Sequence, residues 1–154
     1  APRQFTVSAE LDAGIDVVFA RLSTAEGMKT WVPMCRGVRF EHPGGRLAVG
    51  SIRYVALAGV VTAVERIVHV DAPQRLHYTL ISAGIRIDRL IKHYEGVNEL
   101  RALGSDRCRL DWSIHFACEG AMRPFEGLVR AMLRAVIGNM VDGICRELGG
   151  RRVA

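Results

Sequence analysis

From Gln4 to Leu11 the chain alternates apolar Phe5, Val7, Ala9 and Leu11 with polar neighbours, the pattern of a half-buried strand. Asp12-Ala-Gly-Ile-Asp16 then opens a helix, with Asp12 or Asp16 available as a cap and Val17, Val18, Phe19 and Leu22 as its apolar face. A second short helix is predicted from Thr24 to about Trp31, ended by Pro33. From Gly37 onward the period is that of strands. Val38 and Phe40 alternate before His42-Pro-Gly-Gly45 interrupts. Ser51 to Leu57 follows, then the turn residues Ala58-Gly59, Val60 to Val70, Asp71-Ala-Pro73 and Arg75 to Ser82. Ile85 to Leu103 reads as one long strand or two, with Gly96 as a candidate bulge. Gly104-Ser-Asp106 turns into Cys108 to Cys118, where Leu110, Trp112, Ile114 and Phe116 share a face.

After Gly120 the period changes. Phe125, Leu128, Met132, Val136, Met140, Ile144 and Leu148 recur every three or four residues, predicting one helix from Pro124 to Leu148. Such a helix is roughly 37 Å long. Val129, Leu133, Ile137 and Val141 widen its apolar side, so most of it must be covered, and only the sheet is large enough to cover it. Gly149-Gly150 ends the helix. The order is that of an α+β protein: a curved antiparallel sheet of six or seven strands around a long C-terminal helix, with two short helices after the first strand. No linker divides residues 1–154, so the chain is expected to form a single domain.

Composition narrows the partners. The formal net charge is +5, yet the arginines are spread along the chain and aromatic residues make up only 6%. That argues against nucleic-acid binding, while weak contact with an anionic membrane surface fits the charge. No apolar run is long enough to span a bilayer, and the first residues lack a signal-peptide core, so a cytoplasmic protein is expected. Cys35, Cys108, Cys118 and Cys145 form no C-x-x-C pair and no zinc spacing; the expectation is free thiols, no metal and no cofactor. The residue pattern leaves the oligomeric state open.

Several local motifs, taken in order, resemble the START-like helix-grip superfamily, most nearly its bacterial polyketide cyclase/dehydrase-like branch and more distantly the birch-pollen-allergen family. They are Asp16-Val-Val-Phe-Ala-Arg-Leu22, Trp31-Val-Pro33, Gly50-Ser-Ile-Arg53, Glu65-Arg66-Ile67 followed by Asp71-Ala-Pro-Gln-Arg-Leu-His-Tyr78, and Arg109-Leu-Asp-Trp112. The resemblance spans about Phe5 to Leu148. Trp31-Val-Pro-Met-Cys35 is also similar to the ubiquinone-binding branch. The resemblance implies a cavity between helix and sheet that holds a small hydrophobic or aromatic molecule. It does not settle chemistry, because one fold hosts many functions.

No nucleophile–base pair, H-E-x-x-H or phosphate loop is present, so no catalytic residue is assigned. His69, His77 and His115 alternate opposite the apolar residues of their strands and are expected on the outer face. Strand parity and helix period nominate the ligand-facing wall: Trp31, Val55, Leu80, Trp112, Ile114, Leu128, Met132 and Val136 for apolar contact, and Tyr78, Tyr94 and Asn98 for polar contact. Arg66 shares parity with Val64, Val68 and Val70 and is expected inward; the matching basic position in the allergen family tilts Arg53 inward too. A buried guanidinium requires an anionic partner, either a ligand or an internal acid such as Glu95 or Asp111. The leading function is binding or transport of a small hydrophobic molecule. The alternatives are a cyclase, aromatase or dehydratase on a polyketide-like substrate, a ubiquinone-binding protein, and an interaction module with a filled core.

Overall fold

The computed structural model describes residues 2–41, 47–57, 61–83 and 91–154. Strand β1 (Arg3–Leu11) leads into helices α1 (Ile15–Ser23) and α2 (Ala25–Trp31). A meander follows: β2 (Cys35–Phe40), β3 (Ile52–Leu57), β4 (Thr62–Asp71), β5 (Arg75–Ser82), β6 (Lys92–Ala102) and β7 (Cys108–Ala117). A 3-10 segment (Gly120–Phe125) precedes helix α3 (Glu126–Leu148), and β8 (Gly150–Val153) closes the chain.

The strands form one eight-stranded antiparallel sheet in the order β2-β3-β4-β5-β6-β7-β1-β8. The eighth strand is the addition to the expected six or seven. Gly149 at φ 81 reverses the chain after α3, so that Gly150–Val153 pairs with Ser8–Leu11 of β1. Helix α1 begins at Gly14 without a side-chain cap, whereas Thr24 caps α2 by accepting from Gly27 N at 2.9 Å. Pro124 falls in the 3-10 segment, and α3 runs unbroken past Gly138. Gly96 is no bulge; the irregularity lies between Lys92 and Glu95. The interruption at His42-Pro-Gly-Gly45, the Ala58-Gly59 turn and the start of the Ile85 strand lie outside the described residues.

Helix α3 packs on β1, β8 and α2. Its buried face is Val129, Leu133, Ile137, Val141 and Ile144, which corrects the expected register. Leu128, Met132 and Val136 point to solvent at 70%, 49% and 47% exposure. The two apolar rows adjoin and are equally hydrophobic, so the period alone could not choose between them. The glycines choose. A Cβ on Gly143 would come within 2.4 Å of the Trp31 carbonyl oxygen, so the side of α3 that bears it is the one pressed against α2.

Candidate functional site

The inner face of the sheet is apolar at β1 and β7 and becomes polar towards β3, β4, β5 and β6. Phe5, Val7, Ala9 and Leu11 lie beside Leu110, Trp112, Ile114 and Phe116 on the paired strands, and all eight are buried in the core. Trp31 closes it from α2: its ring meets Trp112 edge-on at 6.1 Å between centroids, and its indole nitrogen donates to Arg21 O at 2.6 Å.

Next to this layer lies a buried polar group. Arg53 of β3 and Glu65 of β4 are register partners on adjacent strands. Arg53 Nε donates to Glu65 Oε1 at 2.8 Å, Arg53 Nη1 donates to Leu22 O at 3.1 Å, and the guanidinium carbon stands 5.3 Å from the centre of the Tyr78 ring. Only 3% of Arg53 and 9% of Glu65 is exposed, so neither charge has water to rely on. The internal acid is therefore Glu65, not Glu95 or Asp111, both of which lie on the outer face.

Arg66 is a correction. It is exposed on the outer face, and Glu65 and Ile67 on either side of it point inward. Both faces of β4 carry comparable apolar residues, so counting valines misled. The deciding factor is the partner. Glu65 turned inward meets Arg53, whereas Arg66 turned inward would meet no acid and would bear the cost of an unpaired buried charge. A register shift between Ile67 and His69 then lets Val70 pack against the core from the other parity.

Tyr94, Gly96 and Asn98 follow one another along the inner side of β6, and Tyr78 of β5 pairs with Gly96. The Tyr78 ring occupies the space a side chain at Gly96 would need: a Cβ there would lie 2.1 Å from its Cζ. Tyr78 is thus laid flat between Tyr94 and Asn98. Trp112, the register partner of Asn98 on β7, donates its indole N–H to the Tyr78 hydroxyl at 3.1 Å. Indole can only donate, so the Tyr78 oxygen accepts and its own proton is directed elsewhere. Burial pushes the Tyr78 hydroxyl well above its ordinary pKa, and the charges of Tyr94 and Glu65 push it further, against the opposing pull of Arg53 and Trp112. Tyr94 is raised as well, by burial and then by Glu65, with the neighbouring Tyr78 hydroxyl drawing it back. Both remain neutral donors. Asn98 is 3% exposed, and its amide nitrogen has no hydrogen-bond partner among the described residues.

Of the wall expected from the sequence, Trp31, Arg53, Val55, Tyr78, Asn98, Trp112 and Ile114 come together in the interior. Leu80 and Tyr94 face inward on their strands but are only half buried, as is Leu57. Glu65 is the residue that reading the sequence missed; it stands directly opposite Arg53 in the β3–β4 pair, twelve residues further along the chain. Four concavities lined by described residues lie elsewhere. One of about 580 Å³ runs over Ser8, Arg109, Asp111 and Ser113 on the outer face, and one of about 320 Å³ sits at Lys29, Arg39 and Tyr54 by the β2 edge.

The four cysteines carry free thiols, and burial raises that of Cys108 to about 11. Among the described residues no three His, Cys, Asp or Glu side chains stand close enough to share a metal ion, and no helix is long and apolar enough to cross a membrane.

The layout of a sheet gripping a C-terminal helix, with polar groups set inside it, has known counterparts. Residues 2–149 match the family described as polyketide cyclase / dehydrase and lipid transport, and the chain belongs to that family. Its fold is shared by a START superfamily protein from Mycobacterium smegmatis, at TM-score 0.71 and 11% identity, with 93% of this chain and 95% of that one covered. An uncharacterised protein from Bacillus thuringiensis aligns at TM-score 0.70 and 15% identity over 91% and 94% of the two chains. Norcoclaurine synthase from Thalictrum flavum, solved with dopamine and hydroxybenzaldehyde, aligns at TM-score 0.68 and 18% identity over 92% and 83%. No curated protein matches the chain.

Proposed function

We propose that the protein binds a small, largely apolar molecule at the inner face of the sheet and holds one oxygen of it against Asn98 and Tyr78. The observation that carries this reading is the buried Asn98 amide nitrogen, which has no hydrogen-bond partner among the described residues, beside the linked hydroxyls of Tyr78 and Tyr94. An unmet donor in a dry interior costs free energy that an accepting oxygen would recover. Leu57, Leu80 and Tyr94, inward but half buried, offer the apolar body of such a molecule a surface near these donors. Membership of a family described by cyclases, dehydrases and lipid transport supports a hydrophobic ligand.

Binding is favoured over catalysis because the group is rich in donors and poor in bases. Glu65 is its one carboxylate, and Arg53 holds it in an ion pair. The tyrosines, raised as they are, cannot give up a proton near neutrality. A ligand with a ketone, quinone or carboxyl oxygen fits; among the described residues of the group no free base stands ready for a proton-abstraction step.

Native mass spectrometry of the freshly purified protein tests this. The expected result is a species heavier than the bare chain that loses a small neutral or anionic molecule on activation, and that is depleted in Asn98→Leu. Bare chain alone, with no uptake of apolar ketones or quinones added in excess, would refute it.

A further inference from the structure

The solvent side of the long helix is unusually apolar. From Ala121 to Asn139 the exposed residues are Ala121, Pro124, Phe125, Gly127, Leu128, Ala131, Met132, Ala135, Val136 and Asn139, with Arg123 and Arg134 as the exposed charges. Phe125, Leu128, Met132 and Val136 are 47% to 70% exposed and recur at helical spacing, so they form a continuous stripe. A face of this kind on a water-soluble surface calls for a cover.

The charges identify the cover. Arg123 and Arg134 make no hydrogen bond or ion pair among the described residues. Glu126, the one acid between Ala121 and Val141, is turned away from the stripe: it accepts from Cys118 N at 3.1 Å and from Gln4 at 3.2 Å, with Arg130 at 3.8 Å. Arg3, beside Gln4 at the same end, is exposed too. The surface around the stripe is cationic, on a chain of formal net charge +5. A second copy of the chain would set these arginines against each other. An anionic lipid surface would meet them with phosphate while the stripe entered the acyl boundary, the arrangement of an interfacial helix.

We infer that α3 docks the protein peripherally on anionic lipid bilayers, with Phe125, Leu128, Met132 and Val136 inserted at the headgroup boundary and Arg123 and Arg134 held by lipid phosphates. The inference stands apart from the ligand reading, because it uses the solvent-exposed row of α3 and none of the interior polar group.

Vesicle flotation tests it, with phosphatidylcholine alone and with phosphatidylglycerol added. The protein should float with the anionic vesicles, and raising the salt should weaken binding. Leu128→Asp combined with Met132→Asp should reduce binding about tenfold or more, and Arg134→Glu by less, at unchanged melting temperature. Leu103→Asp, an exposed apolar site in the β6–β7 turn, should leave binding unchanged. Equal floatation with neutral vesicles, equal loss in Leu103→Asp, or no binding would overturn the inference. So would sedimentation velocity revealing a dimer that Leu128→Asp dissociates, since the stripe would then be covered by a second copy.

Discussion

Arg53 and Arg66 sit on neighbouring strands, one residue apart in register, on opposite faces of one sheet. Inside, Arg53 is cut off from water and has a carboxylate on its Nε and a carbonyl on its Nη1. Outside, Arg66 is exposed. The same contrast holds for whole regions. The outer face carries Ser8 on Asp111, Arg109 on the same carboxylate, and Thr6 against Ser113 at 2.9 Å, all in partly buried hydrogen bonds. The inner face carries fewer polar groups, each in a fixed place; among the described residues the buried side-chain atoms without a hydrogen-bond partner are the Asn98 amide nitrogen there and His77 Nε2 on the outer face, the latter 3.3 Å from the Glu95 carboxylate. An exposed polar group such as Arg66 can be met by water, whereas one as buried as Arg53 requires a partner or a ligand.

The largest expected difference follows directly. Arg53→Met leaves Glu65 buried without a counter-charge and should cost about 3–5 kcal/mol in urea unfolding. Arg66→Met should stay within about 0.5 kcal/mol. Replacing both members of the pair, Arg53→Met with Glu65→Leu, should recover most of the loss, because an apolar pair of similar volume needs no partner. If the single and double variants are equally unstable, the ion pair is not what sets the inner face apart.

Glycines sharpen the same comparison at a smaller scale. Gly96→Ala must displace the Tyr78 ring, breaking its bond with Trp112, and should cost about 1–3 kcal/mol with a shift in tryptophan emission. Gly37→Ala on β2, where a Cβ meets nothing within 4 Å, should leave both nearly unchanged. Alkali tests the inner face as well. Tyr78 and Tyr94 are raised above the ordinary 10.0, so the folded protein keeps protons there that the unfolded chain releases. Their contribution is complete below pH 10 and is lost as pH rises beyond it. Tyrosinate absorbance from these two residues should therefore appear together with unfolding, not before it.

The order of elements was legible because alternation and helical period are local signals, and the family motifs from Asp16 to Trp112 reinforced them. Strand β8 was not: Gly150 to Val153 begin within the Gly-Gly pair and carry no pattern, and only pairing with β1 makes them a strand. The site was half legible. Parity turned Tyr78, Asn98 and Trp112 inward because their strands differ between faces, while Arg53, on a strand apolar on both sides, was turned inward by the family resemblance alone. Parity failed for Arg66 and for Leu128, Met132 and Val136, where both sides of the element are apolar. There the choice is made by contacts distant in sequence: Glu65 against Arg53 in the first case, Gly143 against Trp31 in the second.

The account rests on Asn98 being a donor kept for a ligand, and the sign of one substitution tests that directly. Asn98→Leu removes a buried amide nitrogen that has no partner among the described residues. Its effect is best read by urea unfolding of ligand-stripped protein beside a titration of Trp112 fluorescence with apolar ketones and quinones. The account predicts a variant more stable than the parent by about 1 kcal/mol and weaker in binding by about tenfold, the equivalent of one lost hydrogen bond. A variant that is less stable and binds the same probes equally well would make Asn98 a structural residue and contradict the proposed site.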